Sequence, residues 1–158
     1  MPYQPSQSAT AKPAAFRQRL APVTAALISA QFLYAALALW LQEHGYKAMA
    51  HGLTERTFII AALTVGVLAA IISFPVAAAR IRQQPAQADS ASVLKLVQKQ
   101  FFIGFALSEV ASLAGLFVFF LFADLKPLLV LVFVASAAIL GHYSRARKTL
   151  DDFERSPR

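Results

Sequence analysis

A chain of 158 residues that is 58% hydrophobic and only 15% charged carries more apolar surface than a soluble domain of that size can hide, so a lipid bilayer is its expected solvent. Its net charge of +7 sits beside apolar runs rather than along one face, which reads as topology signal and headgroup contact and argues against a nucleic-acid surface. The absence of cysteine excludes disulfides, thiol chemistry and thiolate metal sites.

Residues 1–19 contain three prolines and many small polar side chains. They read as a tail without stable structure, ending in a short basic stretch. The first apolar run covers 20–41. As helix it reaches about 33 Å, enough to cross a bilayer. It is too long for a signal-peptide core and is followed by Gln42-Glu43-His44-Gly45, so it reads as a retained span. Pro22 suits a first helical turn. Gln31 lies at the centre, where a glutamine is expected to face other helices and hydrogen-bond to them; Thr24, Ser29 and Tyr34 are nearby. Trp40 and Tyr46 mark the far interface.

Residues 42–56 form a polar loop with His44 and His51. No third ligand accompanies them and their spacing fits no standard site, so they are expected to be solvated. No metal site and no cofactor are expected anywhere in the chain. In the second span, 57–79, Ala62, Gly66 and Ala70 recur every four residues and give one smooth face for a neighbouring helix. Pro75 should kink its end. Residues 80–99 read as a polar loop. Its second half, capped by Asp89 or Ser90, should form a short amphipathic helix leading into the third span.

That third span, 100–123, carries Glu109 in its middle third, the only acid or base expected within any span. A charged carboxylate there costs roughly 2.5–3.5 kcal/mol on insertion scales. Low dielectric without a cationic partner favours the neutral carboxyl. Gly104, Ser108 and Ser112 share a face, with Ala111 and Gly115 repeating the small-residue spacing beside it. Glu109 is therefore expected in a helix–helix interface, close to Gln31 or to the small-residue face of the second span. Ser112 and Gln31 are its candidate partners, whether in hydrogen bonding or in binding a proton or ion. A tight turn, Ala123-Asp124-Leu125-Lys126-Pro127, opens the fourth span, 128–146, which reaches a basic end near Lys148. Residues 149–158 are a charged tail.

Twelve of the fifteen Lys and Arg fall in residues 1–19, 80–99 and the C-terminal segment, against three in the other two loops. The positive-inside rule then puts both termini in the cytoplasm of a cell whose inner membrane holds the protein. The expected fold is all-α, an integral membrane four-helix bundle. Gln31 in the first span corresponds to Glu109 in the third, and Ala79-Arg80-Ile81-Arg82-Gln83 to Ser144-Arg145-Ala146-Arg147-Lys148. The alternatives are two parallel two-helix repeats or chance similarity between apolar spans.

Arg82-Gln83-Gln84-Pro85, Ala106-Leu107-Ser108-Glu109 and Gly115-Leu116 carry a resemblance. Over about residues 57–124 the chain resembles the proteolipid, or c subunit, of rotary ATP synthases. That family is a helical hairpin with a basic loop and one ion-binding carboxylate in its second helix. The resemblance implies Glu109 as a proton or sodium site, with Ser112 as an extra ligand. The chain differs in having Gly66 as the only glycine of its second span and in its two further spans.

Three functions follow as expectations. One is a non-catalytic accessory or assembly subunit with a buried glutamate. A second is a proton- or ion-handling protein in which Glu109 changes protonation. A membrane enzyme is disfavoured, because no metal triad, nucleophile–base pair or phosphate loop is present. Expected partners are the lipid bilayer and either further copies of the chain or a larger membrane complex.

Overall fold

In hydrocarbon a backbone N–H or C=O finds no water, so an apolar run must close its hydrogen bonds internally, as a helix does. The computed structural model describes residues 8–49, 55–81 and 90–155, and these are all-helical apart from the turns. The helices are α1 (Ser8–Glu43), α2 (Glu55–Ile81), α3 (Ser90–Phe122) and α4 (Leu125–Arg155). Within them Phe16–Glu43, Glu55–Val76, Leu94–Phe122 and Leu125–Asp152 are long and apolar enough to cross a membrane. By length and composition all four are candidate spans of a multi-pass membrane protein. Large apolar side chains such as Phe32, Phe102, Phe117 and Phe133 are exposed on the outer faces, a surface suited to lipid.

The helices extend past the expected spans at the end that carries both termini. α1 begins at Ser8 rather than near residue 20, so part of the expected tail is helical. The cause lies in side chains that find partners. Phe16 packs edge-on against Phe101, with centroids 6.5 Å apart, and Arg17 pairs with Asp151 of α4. Pro22, expected in a first turn, consequently falls inside the helix. The short helix expected before the third span is continuous with it, because Leu94, Val97, Phe101 and Phe105 form one buried stripe. α4 likewise runs on into the expected tail as far as Arg155, burying Leu150. The stretch with Arg82, Pro85 and Asp89 lies outside the described residues.

α3 and α4 are the most buried helices. α2 packs mainly on α3, and α1 mainly on α4. Among the described residues the backbones of α1 and α2 do not approach each other closely. The halves are thus packed differently: α3 and α4 form a tight hairpin, whereas α1 and α2 stand apart, so the packing does not follow the two-repeat alternative. The connections explain the difference. Only Ala123 and Asp124 join α3 to α4, while residues 44–54 join α1 to α2.

Three apolar clusters hold the helices. One, at the termini end, joins Leu20, Phe101, Phe105, Ile139 and Leu150. A second, at the opposite end, joins Ala38, Phe119, Leu128 and Val132, with Tyr46 stacked on Phe119 and donating its hydroxyl to the Phe120 carbonyl at 2.8 Å. The third, Ala111, Leu131 and Ala135 with Leu63 and Val67, fills the centre between α2, α3 and α4.

The α3–α4 turn is built from one strained residue and one cap. Ala123 has φ +56° while its N–H bonds the Phe119 carbonyl at 2.7 Å, a left-handed helix end at which glycine is usual. Asp124 then accepts from the Lys126 N–H at 3.0 Å and caps α4. Replacing Ala123 by glycine relieves the left-handed strain. It should raise stability by about 1 kcal/mol, read as a later midpoint in denaturing-detergent titration.

Candidate functional site

Besides the Arg17–Asp151 pair at the termini end, polar side chains of different helices meet at two places among the described residues. The first lies on the α1–α3 seam, between the two end clusters. Gln31 and Tyr34, three residues apart on one face of α1, meet Glu109 and Ser112, three residues apart on α3. Gln31 and Ser112 are fully buried, and Glu109 and Tyr34 are half-buried at the rim.

Gln31 donates from Nε2 to Glu109 Oε2 at 2.8 Å, and the Tyr34 hydroxyl donates to Oε1 at 3.0 Å. The Ser112 hydroxyl donates to Gln31 Oε1. The result is a directed chain, from Ser112 to Gln31 to Glu109, joined by Tyr34 from the other side. Both carboxyl oxygens are accepting. A glutamine amide has a donor end and an acceptor end. Turned over, Gln31 would offer its oxygen to a protonated Glu109 and its nitrogen to Ser112. The same partners therefore serve either protonation state of the carboxyl.

Of the residues singled out from the sequence, Glu109, Gln31 and Ser112 come together here. Tyr34 completes the group; its signal was the three-residue spacing from Gln31. Thr24 instead bonds back to the Leu20 carbonyl at 2.8 Å, and Ser29 is exposed. The small residues sit at helix contacts. Ala62 is half-buried, Ala70 is buried, and a methyl group on Gly66 would lie 2.6 Å from Leu131 and 3.3 Å from the Ala111 Cα. A methyl on Gly115 would lie 2.9 Å from the Leu128 Cα, and Ser108 is buried with its hydroxyl bonded to the Gly104 carbonyl at 2.8 Å.

The second polar place corrects an expectation: Glu109 is not alone as an acid or base within the spans. His142 is buried on α4, in line with Ala135, Ala138, Ile139 and Ala146. Its ring occupies the notch at Gly104, where a methyl group would lie 2.6 Å from Nδ1, and stacks on Phe74 at 4.4 Å. Ser73 gives its hydrogen to the Ala70 carbonyl at 2.6 Å, so His142 donates from Nε2 to Ser73 Oγ at 2.7 Å. Continuing the 3.6-residue core pattern of the fourth span beyond Ile139 would have found it. Beside it a cavity of about 20 Å³, lined by Gln100, His142 and Thr149 among others, has room for one water. The Gln100 amide is buried there without a protein partner among the described residues.

The two places are separate. Gly104 and Glu109 point about 140° apart around α3. His44 is exposed in the turn that follows α1, where its Nδ1 lies 2.7 Å from the Trp40 carbonyl; His51 lies outside the described residues. Among the described residues no three His, Asp or Glu side chains gather as a metal site would need. Comparison with protein-family models, with curated proteins and with solved structures finds no match.

Proposed function

We propose that the chain is a non-catalytic accessory or assembly subunit of a membrane complex, in which the Glu109 cluster fastens α1 to α3. One observation carries this reading: each carboxyl oxygen of Glu109 accepts a hydrogen bond from a neutral side chain of α1, so the contact ties the two helices together. Gln31 is held by Ser112, and Tyr34 reaches Glu109 from the rim. Interhelical polar contacts of this kind act as attachments in lipid. The charge asymmetry supports termini in the cytoplasm. Reporter fusions after Lys47 and after Gln87 should then report outside and inside, and the same side for both would refute this orientation.

A second reading, ion handling, is favoured by the half-exposed position of Glu109 and by the ability of Gln31 to serve both protonation states. It is also what the proteolipid resemblance implies. Glu109→Gln separates the two, since it keeps shape and hydrogen bonding but holds no exchangeable carboxyl proton. For an accessory subunit, the variant should stay within about 0.5 kcal/mol of wild type, with Glu109→Leu losing about 1–2 kcal/mol. Proteoliposomes loaded with a pH-sensitive dye provide the other arm. Proton flux in wild type that disappears in Glu109→Gln would replace the accessory reading with ion handling.

A further inference from the structure

We infer that the groove between α2 and α4 is a binding site for one anionic phospholipid. An acyl chain would lie along Ala137 and Ala138, and the phosphate would sit at Arg145. The inference rests on the membrane-spanning reading of the chain and is independent of the role given to Glu109.

The groove has a volume of about 580 Å³. Its floor is Ala70, Ala137 and Ala138; its walls are Ile71, Phe74 and Phe133. Small side chains on facing helices leave the trough, and large ones on either side bound it. The surface offers an occupant almost nothing to hydrogen-bond along its length, so the occupant there is hydrocarbon.

Charge marks one end. Arg145 lies over the Phe74 ring at 5.9 Å and donates from one guanidinium nitrogen to the Phe74 carbonyl at 3.2 Å. The side chain is exposed, and a guanidinium has five N–H donors, so most of its fork faces outward. Phe74 therefore belongs to both features: it walls the groove and seats the cation. A few residues beyond Phe74 the apolar run of α2 gives way to Arg80 and Arg82, and Arg145 opens the basic end of α4 with Arg147 and Lys148. Arg145 therefore stands where both helices change from apolar to basic, the pattern of the headgroup level. From Arg145 back to Ala137 is about 12 Å along α4. A phosphodiester at the boundary with a chain running toward the membrane centre has this same arrangement of charge and hydrocarbon.

Charge favours a lipid over a second copy of the protein as the occupant. With a net charge of +7 another copy brings mostly like charge towards Arg145, whereas an anionic phospholipid brings hydrocarbon and a counter-charge together.

The full chain purified in mild detergent would be mixed with phosphatidylglycerol and phosphatidylcholine and examined by native mass spectrometry. Wild type should retain one phosphatidylglycerol in preference to phosphatidylcholine. Arg145→Gln should lower that preference about fivefold while still retaining lipid. Ala137→Phe, at an exposed position, should lose the retained lipid of both kinds while keeping wild-type helicity by circular dichroism. Ala137→Leu, a smaller filling, guards against a folding defect and should give the same loss in part. An unchanged lipid preference in Arg145→Gln, or full retention in a folded Ala137 variant, would overturn the inference. So would a wild-type dimer that Ala137→Phe converts to monomer without change in lipid.

Discussion

Replacing Gln31 by leucine is expected to detach α1 from the middle of the protein. The side chain is fully buried and is the link through which Ser112 reaches Glu109. Leucine has similar bulk, so the effect comes from hydrogen bonding rather than from a cavity. One carboxyl oxygen and one hydroxyl lose their partners at once, far from water. Each unsatisfied buried group costs about 1–3 kcal/mol. Membrane helix contacts average less than that, because the separated helices also find partners. A loss of about 2–3 kcal/mol is expected from these bounds, measured by denaturing-detergent titration of the reconstituted chain. Gln31→Glu adds the control. It keeps the reach but sets two carboxyls against each other, so its loss should shrink on acidification, whereas that of Gln31→Leu should stay. Equal stability of wild type and Gln31→Leu would show that the seam is held by its apolar ends alone.

The second large effect is expected at Gly115. Its neighbour across the interface is backbone, the Leu128 Cα, at 2.9 Å from where a methyl group would stand. A flexible side chain can swing away, but a Cα in a capped first turn cannot. Gly115→Leu should therefore spread the α3–α4 hairpin and cost at least the 1–3 kcal/mol typical of overpacking. Gly66→Ala is the instructive contrast, because the nearest atom there is Cδ2 of Leu131, the far end of a side chain. Measured side by side, Gly115→Leu should unfold at markedly lower denaturant than Gly66→Ala.

Much of this was legible in the sequence. Four apolar runs of membrane-crossing length announced four helices. The loneliness of Glu109 among apolar residues drew attention to the α1–α3 seam, and Gln31 was named as a neighbour because a central glutamine also needs one. What escaped notice had physical causes. His142 falls inside the expected fourth span but next to its basic end, where a histidine reads as an interfacial residue; its burial follows only from the inward stripe that continues to Leu150. The helical start of α1 was hidden because Phe16 finds its partner, Phe101, only in three dimensions. The groove was invisible for a related reason: it arises where alanines of two helices distant in sequence face each other.

The distance between α1 and α2 has a bearing on biogenesis. Consecutive helices usually become neighbours, so an emerging hairpin gains contacts as soon as it is made. Here α1 leaves the ribosome before α2 yet, among the described residues, has no packed partner in it. Its contacts, Phe101, Glu109 and Asp151, all lie in the later half of the chain. α1 must wait in the lipid until α3 and α4 arrive, so of the four helices the one made before the others is fastened after them.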